Sequence, residues 1–229
     1  MTTASVATEA RSANTDFAIL ANDGDLLARR LAPLFFVSGA AALIYQVCWQ
    51  RLLFAAFGVD IDSVTIIVSV FMFGLGLGAL VGGTIADRRP QLALLFFALS
   101  ELGIGLFGWF SPDLIRMTGA LFVAAPQWQI AIANFLLLLL PTCLMGATLP
   151  ILVAHVTRRW GNVGKSIGML YQVNTFGAAM GIAVVGFPWF LFFEIDTAIR
   201  MAAVLNILVS IITLFWVKRQ WQISRACSR

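Results

Sequence analysis

The stretch from Phe71 to Arg89 reads FMFGLGLGALVGGTIADRR. It is apolar and dense in glycine, and it ends abruptly in charge. Gly74, Gly78 and Gly82 recur every four residues, so on a helix they fall along one side. That side has almost no side-chain bulk, and another helix can approach it backbone to backbone. Asp87, Arg88 and Arg89 then mark where hydrocarbon stops. The pattern specifies a membrane helix built to be packed against, with its last turn at the cytoplasmic surface.

The rest of the chain fits such a helix. Only 11% of the 229 residues are charged and 60% are hydrophobic, whereas a soluble domain carries roughly a quarter charged residues. Six segments are long enough to cross, given that about 20 apolar residues suffice. They lie at about 33–57, 64–86, 92–110, 129–156, 166–190 and 197–217. The expected fold class is therefore all-α integral membrane, a six-helix bundle over residues 31–217. A small, polar segment, residues 1–30, precedes it and lacks the pattern of a signal peptide. It reads as a mobile cytoplasmic arm, and residues 218–229 read as a basic cytoplasmic tail. Pro90 suits a first helical turn. Residues 111–127, with Pro112, Asp113 and Arg116, suggest a short helix lying in the interface. Pro141 and Pro150 fall inside the fourth span, where proline frees a carbonyl and kinks a helix; packing kinks and gating hinges are both open.

Six spans put both ends on one side. Twelve of the 15 Lys and Arg residues lie on the side of the termini, and three (Arg51, Arg116 and Arg200) lie on or near the other. By the positive-inside bias both termini are expected to be cytoplasmic, with the chain in a bacterial inner membrane. Trp49, Trp109, Trp128 and Trp189 fall near the outer surface, and Trp160, Trp216 and Trp221 near the inner one, as aromatic belts do. Gly177 and Gly181 in the fifth span repeat the pattern of the second. Each is the middle helix of a group of three, and the two run in opposite directions. A 3+3 inverted repeat accounts for this; so does the general use of glycine in tight packing.

Several motifs carry a resemblance. Gly83-Thr-Ile-Ala-Asp87-Arg88 is similar to the loop between the second and third helices of the major facilitator superfamily. Ser38 to Leu52, Glu101 to Gly105, Pro141 to Pro150, Tyr171 to Gly177 and Leu205-Asn206 together resemble the membrane domain of bacterial fused major-facilitator-like/spermidine synthase proteins. The resemblance covers roughly residues 33–217 and implies a bundle like half of a major facilitator fold. In transporters the Asp87–Arg88 loop would clamp neighbouring helices; a charged membrane stop is the plainer reading. The chain departs from the family at Gln46, where an acidic residue is common, and this weakens any proton- or cation-coupling role there. It also ends 12 residues after the last span, without the aminopropyltransferase-like domain, so the family's reaction is not expected of it.

Glu101 is the one acid deep in a span. A charge there is costly, so it should face the bundle and find a partner. Gln46 reaches a similar depth, and Asn174 and Asn206 also lie well inside. These four residues either line a polar pocket or hold the helices together by hydrogen bonds. Arg51 is expected to snorkel to the outer surface, the alternative being a bend inward toward Glu101. His155 is the only histidine, and the three cysteines have no paired spacing. No cofactor, metal site or catalytic residue is expected, and no nucleic-acid partner.

Two functions from different classes remain. One is a non-catalytic membrane subunit packing against a larger complex or a partner enzyme. The other is a transporter-like protein for polyamines or other small cations, working as a homodimer of twelve spans.

Overall fold

The computed structural model describes residues 3–57, 60–122, 124–186 and 194–227. They form six long helices: α1 (Thr3–Phe57), α2 (Asp60–Arg88), α3 (Ala93–Leu121), α4 (Gln127–Trp160), α5 (Val163–Val184) and α6 (Ile195–Cys227). All six contain a stretch long and apolar enough to cross a membrane. The protein is an all-α six-helix membrane bundle.

The ends of the elements differ from expectation in three places. No break separates the arm from the first span, because α1 begins at Thr3. Alanine recurs through residues 3–30 and no proline intervenes before Pro33, a composition that favours helix. The tail continues α6 as helix to Cys227. The end expected for the fifth span, 187–190, lies outside the described residues, and so does Trp189.

The third difference is a correction. Residues 111–121 are not a separate interfacial helix; α3 runs straight through Pro112 to Leu121. At position 112 proline leaves the Gly108 carbonyl without its usual helix donor. The Ser111 hydroxyl supplies one, donating to Gly108 O at 2.8 Å. Ser111 Oγ in turn accepts from Trp49 Nε1 at 2.8 Å, which ties the irregular turn to α1. At about 1.5 Å per residue the 29-residue helix is longer than the roughly 30 Å hydrocarbon core. Its end carries Arg116, paired through both guanidinium nitrogens to Asp196 at the start of α6, at 2.6 and 2.8 Å.

The α2 glycines pack as the spacing predicts, and their partner is α4. A Cβ on Gly74 would strike the Thr142 side chain, and one on Gly78 the Cys143 carbonyl. One on Gly82 would lie 2.6 Å from Ala147 O. Gly146 of α4 answers from the other side, against Leu75 O. The α5 glycines do the same with α1: Gly177 sits on Phe36 O, and a Cβ on Gly181 would lie 2.5 Å from Ala40 O. The largest helix contacts are α2 with α4, α1 with α5 and α3 with α6, followed by α3 with α4 and α1 with α6. Exchanging α1–α3 with α4–α6 turns this set of pairs into itself, as an inverted repeat requires.

Trp49 corrects the belt reading. It is fully buried, stacked on Tyr45 at 4.9 Å, with Phe71 and Phe107 at 6.0 and 5.9 Å. Trp109, Trp128 and Trp221 are exposed, as belt residues are. The α4–α5 turn is closed by Gly161 at φ +65°, a left-handed position that suits glycine. Asn162 follows as the cap of α5, its side chain accepting from Lys165 N–H at 2.9 Å.

Candidate functional site

The buried face of α3 follows helical spacing: Phe97, Ala98, Glu101, Ile104, Gly105 and Gly108. It lies against α6, where Ser210 donates to Ala98 O at 2.7 Å. A Cβ on Gly105 would come within 2.9 Å of Ala203 O, so the two backbones are close. In the middle of this contact sits Glu101, with no exposed surface. Its two oxygens have separate partners. The Ser38 hydroxyl of α1 donates to Oε1 at 2.6 Å, and Asn206 Nδ2 of α6 donates to Oε2 at 2.6 Å. Both donors are neutral. Three helices therefore meet at one carboxyl group, and the expectation that Glu101 faces the bundle and finds a partner is met.

This arrangement fixes Asn206. With Nδ2 committed to Glu101, the amide presents Oδ1 elsewhere, and Oδ1 is buried without a hydrogen-bond partner. Asn206 lines a cavity of about 280 Å³, and so do Ser38, Gln46, Thr148 and Asn174. The other walls are apolar, among them Phe35, Phe71, Leu75, Ile104, Met145 and Leu149. Ala79 of α2 and Tyr171 of α5 also line it, and both are exposed. The cavity therefore reaches exposed residues of both α2 and α5.

Of the four residues read from the sequence as a polar pocket, Gln46, Asn174 and Asn206 share this cavity. Glu101 stands one hydrogen bond behind it. Asn174 also packs against Gly39, where a Cβ would sit 2.5 Å from its Oδ1. Sequence reasoning missed Ser38, Tyr45 and Thr148. The signal for the first two was present: Ser38, Tyr45 and Trp49 are spaced by seven and four, one face of α1. Tyr45 is fully buried, its hydroxyl lies against Gly108, and that hydroxyl has no hydrogen-bond partner. Gly83 has open space where a Cβ would be, and Asp87 and Arg88 end α2 as exposed side chains. Pro141 and Pro150 lie within an unbroken α4.

No family model, curated protein or solved structure matches this chain.

Among the described residues no group of three His, Cys, Asp or Glu side chains stands close enough to hold a metal ion. What the cavity offers is hydrogen-bonding amides and hydroxyls on an apolar wall, with one carboxyl group behind them.

The outer surface carries a second feature. The apolar windows of α1, α3 and α4 are each 50% buried, whereas those of α2 and α5 are 28% and 17% buried. On α5 the exposed residues Gly168, Gln172, Thr175, Ala179 and Ala183 fall within an arc of about 80° at 3.6 residues per turn. On α2 the exposed Ser69, Gly76, Ala79 and Asp87 share such an arc, interrupted by the exposed Met72. The outward side of α4 shows Ile132, Leu136 and Leu140, and that of α6 shows Val204, Leu208, Ile211 and Phe215; α2 and α5 expose large side chains as well, Met72, Phe73 and Leu80 on one and Tyr171, Phe176 and Met180 on the other, beside their small residues. Bulky aliphatics suit lipid tails; small and polar residues suit helix neighbours.

Proposed function

We propose that this protein is a non-catalytic integral membrane subunit that works by packing the α2/α5 flank against membrane helices of another chain. The observation that carries the reading is the outward stripe of α5, Gly168 to Ala183, on the least buried helix of the bundle. The glycines that first suggested association cannot serve, because Gly74, Gly78, Gly82, Gly177 and Gly181 are already occupied by α4 and α1. The small and polar residues on the opposite faces are left for a partner. A bacterial inner membrane with both termini cytoplasmic is the setting that the Lys/Arg distribution supports.

Mild-detergent extraction from native membranes, followed by mass measurement, tests this reading. The expected particle is larger than one 24.9 kDa chain with fixed stoichiometry, and Ala179→Trp reduces it to the single chain. A monodisperse single chain from the unaltered protein would overturn the reading.

A second reading has its own support. A transporter-like homodimer for polyamines or other small cations fits the cavity, because the cavity reaches exposed residues of α2 and α5, the helices on which a second copy would pack. Resemblance to fused major-facilitator-like proteins supports the same reading. Glu101→Gln, with expression unchanged, is expected to abolish substrate-dependent uptake in that case.

A further inference from the structure

We infer that the cavity between α1, α2, α4 and α5 is a binding site for an uncharged amphiphile drawn from the membrane, an aliphatic body with a hydroxyl head. The polar wall it uses is the side-chain amides of Gln46 and Asn174 and the Gly146 carbonyl; the apolar wall is Phe71, Leu75, Met145 and Leu149. Binding requires neither transport nor association, and it departs from the second reading above in the charge of what is bound.

Three observations lead to it. First, the free polar groups of the wall fall to two amides and a carbonyl. Ser38 and Asn206 Nδ2 are committed to Glu101, Thr148 donates to Met145 O, and Asn206 Oδ1 is shielded. Gln46 and Asn174 are half-buried, and among the described residues no hydrogen bond engages either side chain. Neither is among the fully buried unpartnered groups, so both amides keep accessible surface, and the cavity is the space they share. Pro150 leaves the Gly146 carbonyl without its usual helix donor, and both residues line the cavity. A hydroxyl accepts from an amide N–H and donates to a carbonyl, so it serves both kinds of group. Second, among the described residues no Asp, Glu, Lys, Arg or His lines the cavity. A charged head would be desolvated there without a counter-charge, which costs far more than burying a hydroxyl. Third, the cavity is reached at hydrocarbon depth. Ala79 lies nine residues before the end of α2 at Arg88, and Tyr171 eight residues after the start of α5 at Val163. At 1.5 Å per residue both are about 12 Å or more from those helix ends. A ligand that dissolves in lipid has access there. At about 280 Å³ the space sits at the lower end of the roughly 300–1,000 Å³ typical of small-molecule pockets. Water is the competing occupant, and it needs two to four polar partners.

Three variants separate the parts of the site. Gln46→Leu keeps the bulk of the side chain and removes its amide. Pro150→Ala restores an N–H that can donate to the Gly146 carbonyl within α4 and so withdraws that acceptor. Ala42 lines the same cavity from α1, and Ala42→Leu fills the space without touching a polar group.

Purified protein in lipid nanodiscs is photolabelled with a diazirine-bearing 1-octanol, and the label is counted by intact mass and located by peptide sequencing. The competitors are 1-octanol, n-octane, octylammonium and octanoate, each at equal concentration in the bilayer. The expected result is saturable labelling of one site per chain, on cavity-lining peptides of α1 or α4, displaced by 1-octanol well before the other three. Gln46→Leu and Pro150→Ala should each weaken 1-octanol by about two- to tenfold, the range of one neutral hydrogen bond, and leave the weak competition by n-octane unchanged. Ala42→Leu should abolish saturable labelling. Labelling that rises linearly and equally in the unaltered protein and Ala42→Leu means partition into lipid with only water in the cavity, and it overturns the proposal. Equal competition by n-octane overturns it too, since the site is then merely apolar. Stronger competition by octylammonium overturns it in favour of a cation site. Labelling is read per chain, so its failure is distinct from failure to associate. If a variant does not fold, the competitor series on the unaltered protein decides the matter alone.

Discussion

Glu101 and Asn206 should behave as an energetic unit, and a double-mutant cycle measures it. Glu101→Leu removes the acceptor for two donors. The Ser38 hydroxyl can fall back on a carbonyl of its own helix. Asn206 has no such recourse, since its Oδ1 is already unpartnered, and both ends of its amide are then stranded. Leaving a buried polar group unpaired costs about 1–3 kcal/mol. Asn206→Leu strands Glu101 Oε2 instead, at a similar cost. In the double variant neither group is left waiting, and replacing both partners by apolar groups is nearly neutral. The single effects should therefore exceed the double by about 1–2 kcal/mol. The figure is kept at the low end because interhelical hydrogen bonds in membranes average only about 0.6 kcal/mol, with a maximum near 1.7. Unfolding in mixed micelles of rising denaturing detergent, followed by tryptophan fluorescence and helix content, supplies the four free energies. Single effects that add to within about 0.3–0.5 kcal/mol, as independent sites do, would refute the claim that one carboxyl group ties α3 to α6 through Asn206.

Three further outcomes follow from the packing. Gly78→Leu should abolish monodisperse extraction, because its Cβ lands on the Cys143 carbonyl, whereas Gly76→Leu, which meets open space, should extract normally. Ser111→Ala removes both the donor to the Gly108 carbonyl and the acceptor of Trp49 Nε1; it should destabilise by about 1–3 kcal/mol and shift the tryptophan emission. Asp196→Asn should cost at most about 1 kcal/mol and lose even that in high salt, because the Arg116 side chain is 53% exposed and such pairs are screened; thermal unfolding at two ionic strengths checks this.

Much of this architecture was legible because membrane chemistry leaves few options. A run of about 20 apolar residues closed by Asp87 and Arg88 has few outcomes other than a spanning helix. The four-residue glycine spacing likewise announced close helix contact. It did not say with what. Gly74, Gly78 and Gly82 could have met another chain, and only the folded bundle shows that α4 fills that side. Pro112 misled because its signal is local, whereas the repair by Ser111 and Trp49 spans 62 residues. Trp49 misled for a related reason: depth was counted along the chain, and burial depends on Tyr45, Phe71 and Phe107 arriving from three helices. Glu101 and Asn206 were readable as costly groups in hydrocarbon. That Glu101 would stand behind the cavity and take the Nδ2 donor of Asn206 required the relative rotation of α3 and α6, which no single segment encodes.

The α2/α5 flank is central to this account, and photo-crosslinking in native membranes tests it most directly. A photoreactive phenylalanine analogue is placed at Ala179, on the outward stripe of α5, and as a control at Leu136, which is 61% exposed on the aliphatic side of α4. The account predicts a protein adduct of defined mass from position 179 and only lipid adducts from position 136. Lipid adducts alone at both positions would show that α5 faces the bilayer as α4 does, and would contradict it.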